Sequence, residues 1–264
     1  MATAAAPAGD ADVAPIAALI GDRARARVLM TLLDGRSLPS GVLATEAGVA
    51  ASTMSEHLAH LLDAGLVTAE RQGRARYFRL AGPAVAHALE ALARLAPPEP
   101  VRSLRQGTCA HALRRARTCY NHLAGWLGVE LMTALIECGL LTGGDGHHHR
   151  DRADADRLSA PGRDITYRLS PRGRRALTDF GLDVDGVMRQ RPTIRYCIDW
   201  SEQRHHLAGP LGAALTSRLF ELDWIRHTTQ RRAVRLTNHG QRGLHDTFGL
   251  PQHWDKPSLL GAAG

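Results

Sequence analysis

Two groups of residues in this 264-residue chain carry side chains suited to chemistry. The first is Cys119 with His122; the second is Cys197, Asp199, His205 and His206. Thiolate, imidazole and carboxylate together make a donor set for zinc or another borderline divalent metal. Cys119 and His122 are three apart, so a helix would put them on one side. Packing of the second group against the first would complete a site. The same thiols admit a redox reading, with Cys119 and Cys197 as one reactive pair made nucleophilic by His or Arg neighbours. A third reading is a small organic effector in an apolar cavity lined by Tyr120, Trp126, Trp200, Phe220, Trp224 and Trp254. Plain packing of all these side chains stands against the three. Cys109 and Cys138 are read as apolar filling.

A second surface is polar and basic. From Gly41 to Leu80 the chain reads as helix, turn, helix and two-stranded ribbon. Met54, Leu58, Leu61 and Leu62 recur at helical spacing and face the core. Ser52, Thr53, Ser55, Glu56, His57 and His60 are left for the other faces, where short polar side chains reach base edges in a major groove. Ser52 is the expected N-cap of that helix. Arg71-Gln72-Gly73-Arg74 turns a hairpin, on which Arg71, Arg74, Arg76 and Arg79 are suited to sugar-phosphate contact.

The segments DRARARVLMTLLDG, LATEAGVAASTMSEHLAHLLDAGLV and ERQGRARYFRL resemble the winged helix-turn-helix domain of ArsR-type transcriptional repressors over residues 12–96. The resemblance implies base reading by Ser52, Thr53, Ser55, Glu56 and His57, and a wing containing Gly73, Arg74 and Arg76. It also implies a homodimer on double-stranded operator DNA, and repression. The family's best-known metal sensors carry paired cysteines in the helix that begins here near Val42. This chain has SGVLATEAG there, so that site does not carry over.

The formal charge of +7 fits an acidic partner. No apolar run is long enough to span a membrane, and the first residues lack a secretion signal. Four cysteines make no disulfide framework, so a reducing cytoplasm is the expected location. There is no nucleophile elbow, dinucleotide or phosphate loop, or HEXXH, and no catalysis is expected.

The fold expected is mainly α with small β wings. Residues 1–11 read as a mobile tail and 12–96 as the winged helix-turn-helix domain. Residues 97–118 are a linker and connecting helix, and 119–264 a duplicated sensing or assembly region. The Leu stripe of residues 83–95 is assigned to dimerisation. The duplication rests on recurrence. HLAG recurs 84 residues on, at His122 and His206, while Arg168-Leu169-Ser170 and Arg235-Leu236-Thr237 lie 67 apart. Two degenerate winged-helix-like units follow, each expected to run helix, turn, helix, strand, strand. The excess in the first is a solvated loop over 142–162 with three consecutive histidines.

Overall fold

A computed structural model describes residues 10–97, 100–149, 165–190, 194–230 and 232–251. Residues 1–9 of the tail, residues 150–162 of the 142–162 loop, and Trp254 lie outside the described residues. The chain divides into two compact units, one of residues up to 32 with 36–85, the other of 33–35 with 86 onward.

The first unit runs α1 (Ala14–Gly21), α2 (Arg23–Thr31), β1 (Leu38–Pro39), α3 (Ser40–Ala47), α4 (Ala51–Asp63), β2 (Val67–Gln72) and β3 (Ala75–Leu80). The break after α1 falls where Asp22 caps α2, its carboxylate accepting the Arg25 N–H. Val28, Leu29, Leu43, Met54, Leu58, Leu61, Phe78 and Leu80 form the buried core. The N-cap of α4 is Ala50 rather than Ser52, and no side chain caps it. The Ala50 carbonyl accepts the Met54 N–H, so the backbone closes the first turn and Ser52 lies inside it, exposed. The sheet order is β1-β3-β2. Gln72 pairs with Ala75, which leaves Gly73-Arg74 as a two-residue turn. Gly73 has φ +61°, the left-handed conformation such a tight turn demands.

Helix α5 (Pro83–Leu95) starts in the first unit and continues in the second, followed by α6 (Leu104–Arg115). The first repeat is then β4 (Arg117–Cys119), β5 (His122–Ala124), α7 (Gly125–Glu137), β6 (Leu141–Thr142), β7 (Arg168–Leu169) and α8 (Pro171–Asp179). After α9 (Val184–Arg189) comes the second: β8 (Arg195–Ile198), β9 (His205–Ala208), α10 (Gly209–Glu221), β10 (Ile225–His227), β11 (Val234–Leu236) and α11 (Asn238–Phe248).

Both repeats run hairpin, helix, hairpin, helix. The second hairpin of each repeat lies where two strands were expected, but each repeat opens on a hairpin and not a helix, and closes on a helix. Leu127, Leu131 and Leu135 of α7 are buried at the same spacing as Leu211, Leu215 and Leu219 of α10. Ser170 caps α8 and Thr237 caps α11 through the same bond to a glycine N–H three residues on.

The two long helices approach their hairpins closely. A Cβ on Gly128 would lie 2.6 Å from the Leu123 carbonyl oxygen, and one on Gly212 would lie 2.6 Å from the Leu207 oxygen. Only glycine fits a helix packed that tightly on a strand. Gly128→Ala and Gly212→Ala should therefore each destabilise the second unit by about 1–3 kcal/mol. All four tryptophans lie beyond residue 120, so denaturant unfolding followed by their fluorescence reads this unit. Unchanged midpoints in both variants would contradict the packing.

Candidate nucleic-acid interface and metal centre

Helix α4 buries Met54, Leu58 and Leu61, and that fixes what its other faces present. Ser52, Thr53, Ser55, Glu56 and His60 are exposed; His57 is partly buried, with Nδ1 3.9 Å from Asp22 Oδ1. The Ser55 hydroxyl donates to the Ala51 carbonyl at 3.0 Å, back into its own helix. On the ribbon, Arg71, Arg74, Arg76 and Arg79 are all exposed. Arg71 sits directly across from Arg76, and the Arg79 Nε donates to Thr68 Oγ1 at 3.3 Å. Like charges directly opposite in a ribbon are destabilising on their own. This pair concentrates positive charge on the wing.

The second site is built by the opening hairpins of the two repeats. Cys119 pairs with His122 across the β4–β5 turn, and Cys197 pairs with His206 across β8–β9. Each hairpin thus sets one thiol opposite one imidazole. The ligand atoms of Cys119, His122, Cys197 and His206 all lie within 4.8 Å of one another. His122 Nε2 is 3.6 Å from Cys197 Sγ, and the two imidazole centroids are 5.2 Å apart. Cys119 and His206 are fully buried and His122 is 2% exposed. The three-residue spacing of Cys119 and His122 therefore works through a two-residue turn, with Tyr120 at φ +59°, and not through a helix.

Asp199 and His205, the other residues the sequence grouped here, stand outside the four. Successive strand residues face opposite ways. His205 accordingly turns from His206 and meets the Tyr167 hydroxyl at 2.8 Å, beside Tyr196. Asp199 lies behind the site. Its Oδ2 accepts the Gly125 N–H at 2.7 Å and an Arg117 N–H at 3.0 Å, and is 3.3 Å from His206 Nδ1. Its Oδ1 accepts the Ser201 N–H and hydroxyl. Arg117 and Asn121 are the contributors that sequence reasoning missed. Arg117 looks like one more basic residue of the Arg-rich stretch before it, yet it is fully buried. Asn121 Oδ1 lies 3.3 Å from His122 Nδ1.

Protonation follows this layout. The hydrogen bond Cys119 gives to Cys197, then burial and the charge of Glu90, push the Cys119 thiol up to about 12. The same bond brings Cys197 down to about 6 against its burial, helped by His206. Burial opposes the charge on His206, but Asp199 and the two sulfurs outweigh it and hold its pKa well above the ordinary value. Burial likewise opposes the charge on Asp199, whose pKa His206, Arg117 and Ser201 keep far below the usual carboxylate range.

The aromatic residues do not converge. Trp200 stacks on the Arg117 guanidinium at 4.5 Å, Phe220 on His227 at 4.4 Å, and Trp224 lies 5.2 Å from Phe180. Tyr120 occupies the β4–β5 turn, and Trp126 lies in the first turn of α7. Among the described residues these separate neighbourhoods give the expected aromatic cavity no common lining.

A helix-turn-helix domain family matches residues 20–70. YdfF of Bacillus subtilis (strain 168), described as an uncharacterized HTH-type transcriptional regulator, is 36% identical over 231 residues, 87% of this chain and 94% of that protein. The chain belongs to the HTH-type transcriptional regulators. A likeness of that length runs from the DNA-binding unit into the second. The ArsR-type resemblance of the first unit agrees with these relatives. CmtR of Mycobacterium tuberculosis, another HTH-type regulator, is 41% identical over 70 residues, 26% of this chain and 58% of that protein. Among solved structures, the cadmium metal-sensor CMTR of M. tuberculosis is 33% identical and covers 35% of this chain and 99% of its own, with a TM-score of 0.28. M. tuberculosis Rv0081 is 34% identical over 31% of this chain and 81% of its own, with a TM-score of 0.29.

The Asp199–Arg117 pair is fully buried on both sides. Removing one partner of such a pair strands the other, so Asp199→Ala should cost the regulator's second unit about 3–5 kcal/mol. Because the folded carboxyl has a lowered pKa, its contribution is complete above the ordinary aspartate range near pH 4 and is lost as pH falls. The gap between wild type and Asp199→Ala should therefore shrink on acidification. Denaturant titrations at several pH values check both points; a gap that widens toward acid would contradict them.

Proposed function

We propose that this HTH-type regulator is a homodimeric repressor of double-stranded operator DNA, and that its second unit receives the signal that sets operator affinity. The observation that carries the DNA-reading part is the face of α4. Met54, Leu58 and Leu61 hold the helix to the core while Ser52, Thr53, Glu56 and His60 remain exposed. Two such helices would enter successive major grooves, and the paired Arg71 and Arg76, with Arg74 at the turn, would grip flanking phosphate. Dimerisation is supported by α5, where Leu92 is 45% and Leu95 83% exposed at helical spacing. Repression follows from a bound dimer blocking polymerase. The role is regulatory and not enzymatic, and its place is the cytoplasm. Among the described residues no helix is long and apolar enough to cross a membrane.

The signal favoured is a divalent metal such as zinc, taken up in the second unit. The convergence of two thiols and two imidazoles supports it. A thiol-redox signal remains the second reading, favoured by the approach of the Cys119 and Cys197 sulfurs to within 4.8 Å of each other. An organic effector finds no shared aromatic lining among the described residues.

Operator binding discriminates the wing from the helix. Arg74→Ala with Arg76→Ala should weaken operator and random DNA alike and lower the salt dependence by about one phosphate contact per arginine lost. Ser52→Ala should instead reduce the ratio of operator to random affinity, by roughly tenfold for a lost base contact of about 1–3 kcal/mol. Fluorescence anisotropy against both DNAs at several salt concentrations measures this. If neither variant alters binding, the interface lies elsewhere.

A further inference from the structure

We propose that Cys119, His122, Cys197 and His206 form a closed, four-coordinate site for one zinc-class divalent ion, and that the ion clamps the two repeats of the second unit together. The proposal rests on the reading of that unit as the metal-receiving one and gives it a ligand set, a coordination number and a physical effect.

The donor geometry comes first. Metal–sulfur and metal–nitrogen bonds of about 2.3 and 2.0 Å put tetrahedral ligands about 3.3–3.8 Å apart. Here all four donor atoms are within 4.8 Å of one another. A contraction of about an ångström at the widest pair closes the shell, and short hairpin side chains supply that by small rotations.

The second observation is an unsatisfied imidazole. His206 is fully buried; its Nδ1 has the Asp199 carboxylate at 3.3 Å, while its Nε2 has no hydrogen-bond partner among the described residues. A buried polar group in that condition is costly unless something else binds it. Oxygen atoms stand behind the Nδ1 of both histidines, Asn121 Oδ1 behind His122 and Asp199 Oδ2 behind His206, each at 3.3 Å. An oxygen on the outer nitrogen is the usual support of a metal-bound histidine. It leaves Nε2 for the ion, and His122 Nε2 already faces the Cys197 sulfur.

Charge and softness select the occupant. Two thiolates and two neutral imidazoles cancel a divalent charge, which suits a position where three of the four ligands are buried. The S2N2 set suits zinc and its softer neighbours and excludes the hard oxygen-seeking ions. Four protein ligands leave no open position for water, so the site is structural and not Lewis-acidic.

The clamp follows from ownership. One Cys and one His come from each repeat. The long helix of each repeat also packs on the other repeat's ligand, for the Gly128 position lies 3.6 Å from His206 Cβ and the Gly212 position 3.3 Å from His122 Cβ. Neither repeat alone offers more than two donors. Binding is therefore linked to the seating of the repeats on each other.

The test uses the full chain, reduced and chelator-stripped, with Co(II) and Zn(II) as probes. We expect one ion per chain by elemental analysis. Co(II) should give the intense visible bands of a tetrahedral complex together with thiolate charge transfer, and Zn(II) should displace it. Zn(II) should raise the melting temperature read by tryptophan fluorescence. Cys119→Ser and Cys197→Ser should each lose the charge-transfer intensity expected for two thiolates and bind at least 100-fold more weakly. His205→Ala, on the opposite face of β9, should bind normally. The wild-type cobalt spectrum decides the matter even if a serine variant fails to fold. Weak octahedral bands, or an ion retained equally by the Cys119→Ser/Cys197→Ser double variant, would overturn the site. Operator affinity on the same samples separates the two readings. Tight binding at the four residues with unmoved operator affinity would leave the clamp and remove the metal-signal reading. A metal response that survives in the double variant would do the reverse.

Discussion

The second unit is arranged around a carboxylate that belongs to one repeat and is shared with the other. Asp199 follows β8, but its Oδ2 accepts from Arg117 on β4 and from the first N–H of α7. A buried carboxylate without such partners would not stay ionised. With them it is held by a guanidinium and by the positive end of a helix. Because Arg117 is two residues from Cys119, and Asp199 two from Cys197, this contact brings the thiol-bearing strands together. The same oxygen stands behind His206. One buried ion pair thereby sets both the seating of the repeats and the orientation of an imidazole.

Duplication explains why the site has the composition it does. A hairpin that places Cys opposite His is a half-site, and two copies facing each other make four donors. The glycines at 128 and 212 let each helix approach its own hairpin and bring the helices against the facing ligands. The repeats are not equivalent in their outer partners, since Asn121 stands behind one histidine and Asp199 behind the other. The glutamate–arginine pair at α5 is a further long-range tie within this unit. Glu90 and Arg232 are each about nine-tenths buried and lie 2.5 Å apart.

The DNA-reading unit was largely legible because its physics is local. Helical periodicity placed Met54, Leu58, Leu61 and Leu62 inside, of which Leu62 is only partly buried, and the glycine of Gly73-Arg74 marked the wing turn. The cap was misplaced because Ser52 is the better capping residue by propensity, while the backbone at Ala50 already closes the first turn. In the second unit, recurrence pointed to two similar halves but not to the element that opens each. Spacing of three between Cys119 and His122 suits a helix and a two-residue turn equally. Tyr-Asn is a weak turn signal, with Tyr120 in the left-handed conformation that glycine usually takes. Once β9 is a strand, alternation alone separates His206 from His205. Arg117 and Asn121 were hidden because their roles depend on partners far along the chain or on a ring orientation that composition does not encode.

The claim on which this account turns is that two repeats share one ion through two sulfurs and two nitrogens. X-ray absorption at the zinc edge on the full-length, zinc-loaded protein measures that shell directly. The account predicts two sulfur atoms at about 2.3 Å and two imidazole nitrogens at about 2.0 Å. A shell of oxygen and nitrogen without sulfur, or one with a single sulfur and a water, would contradict it.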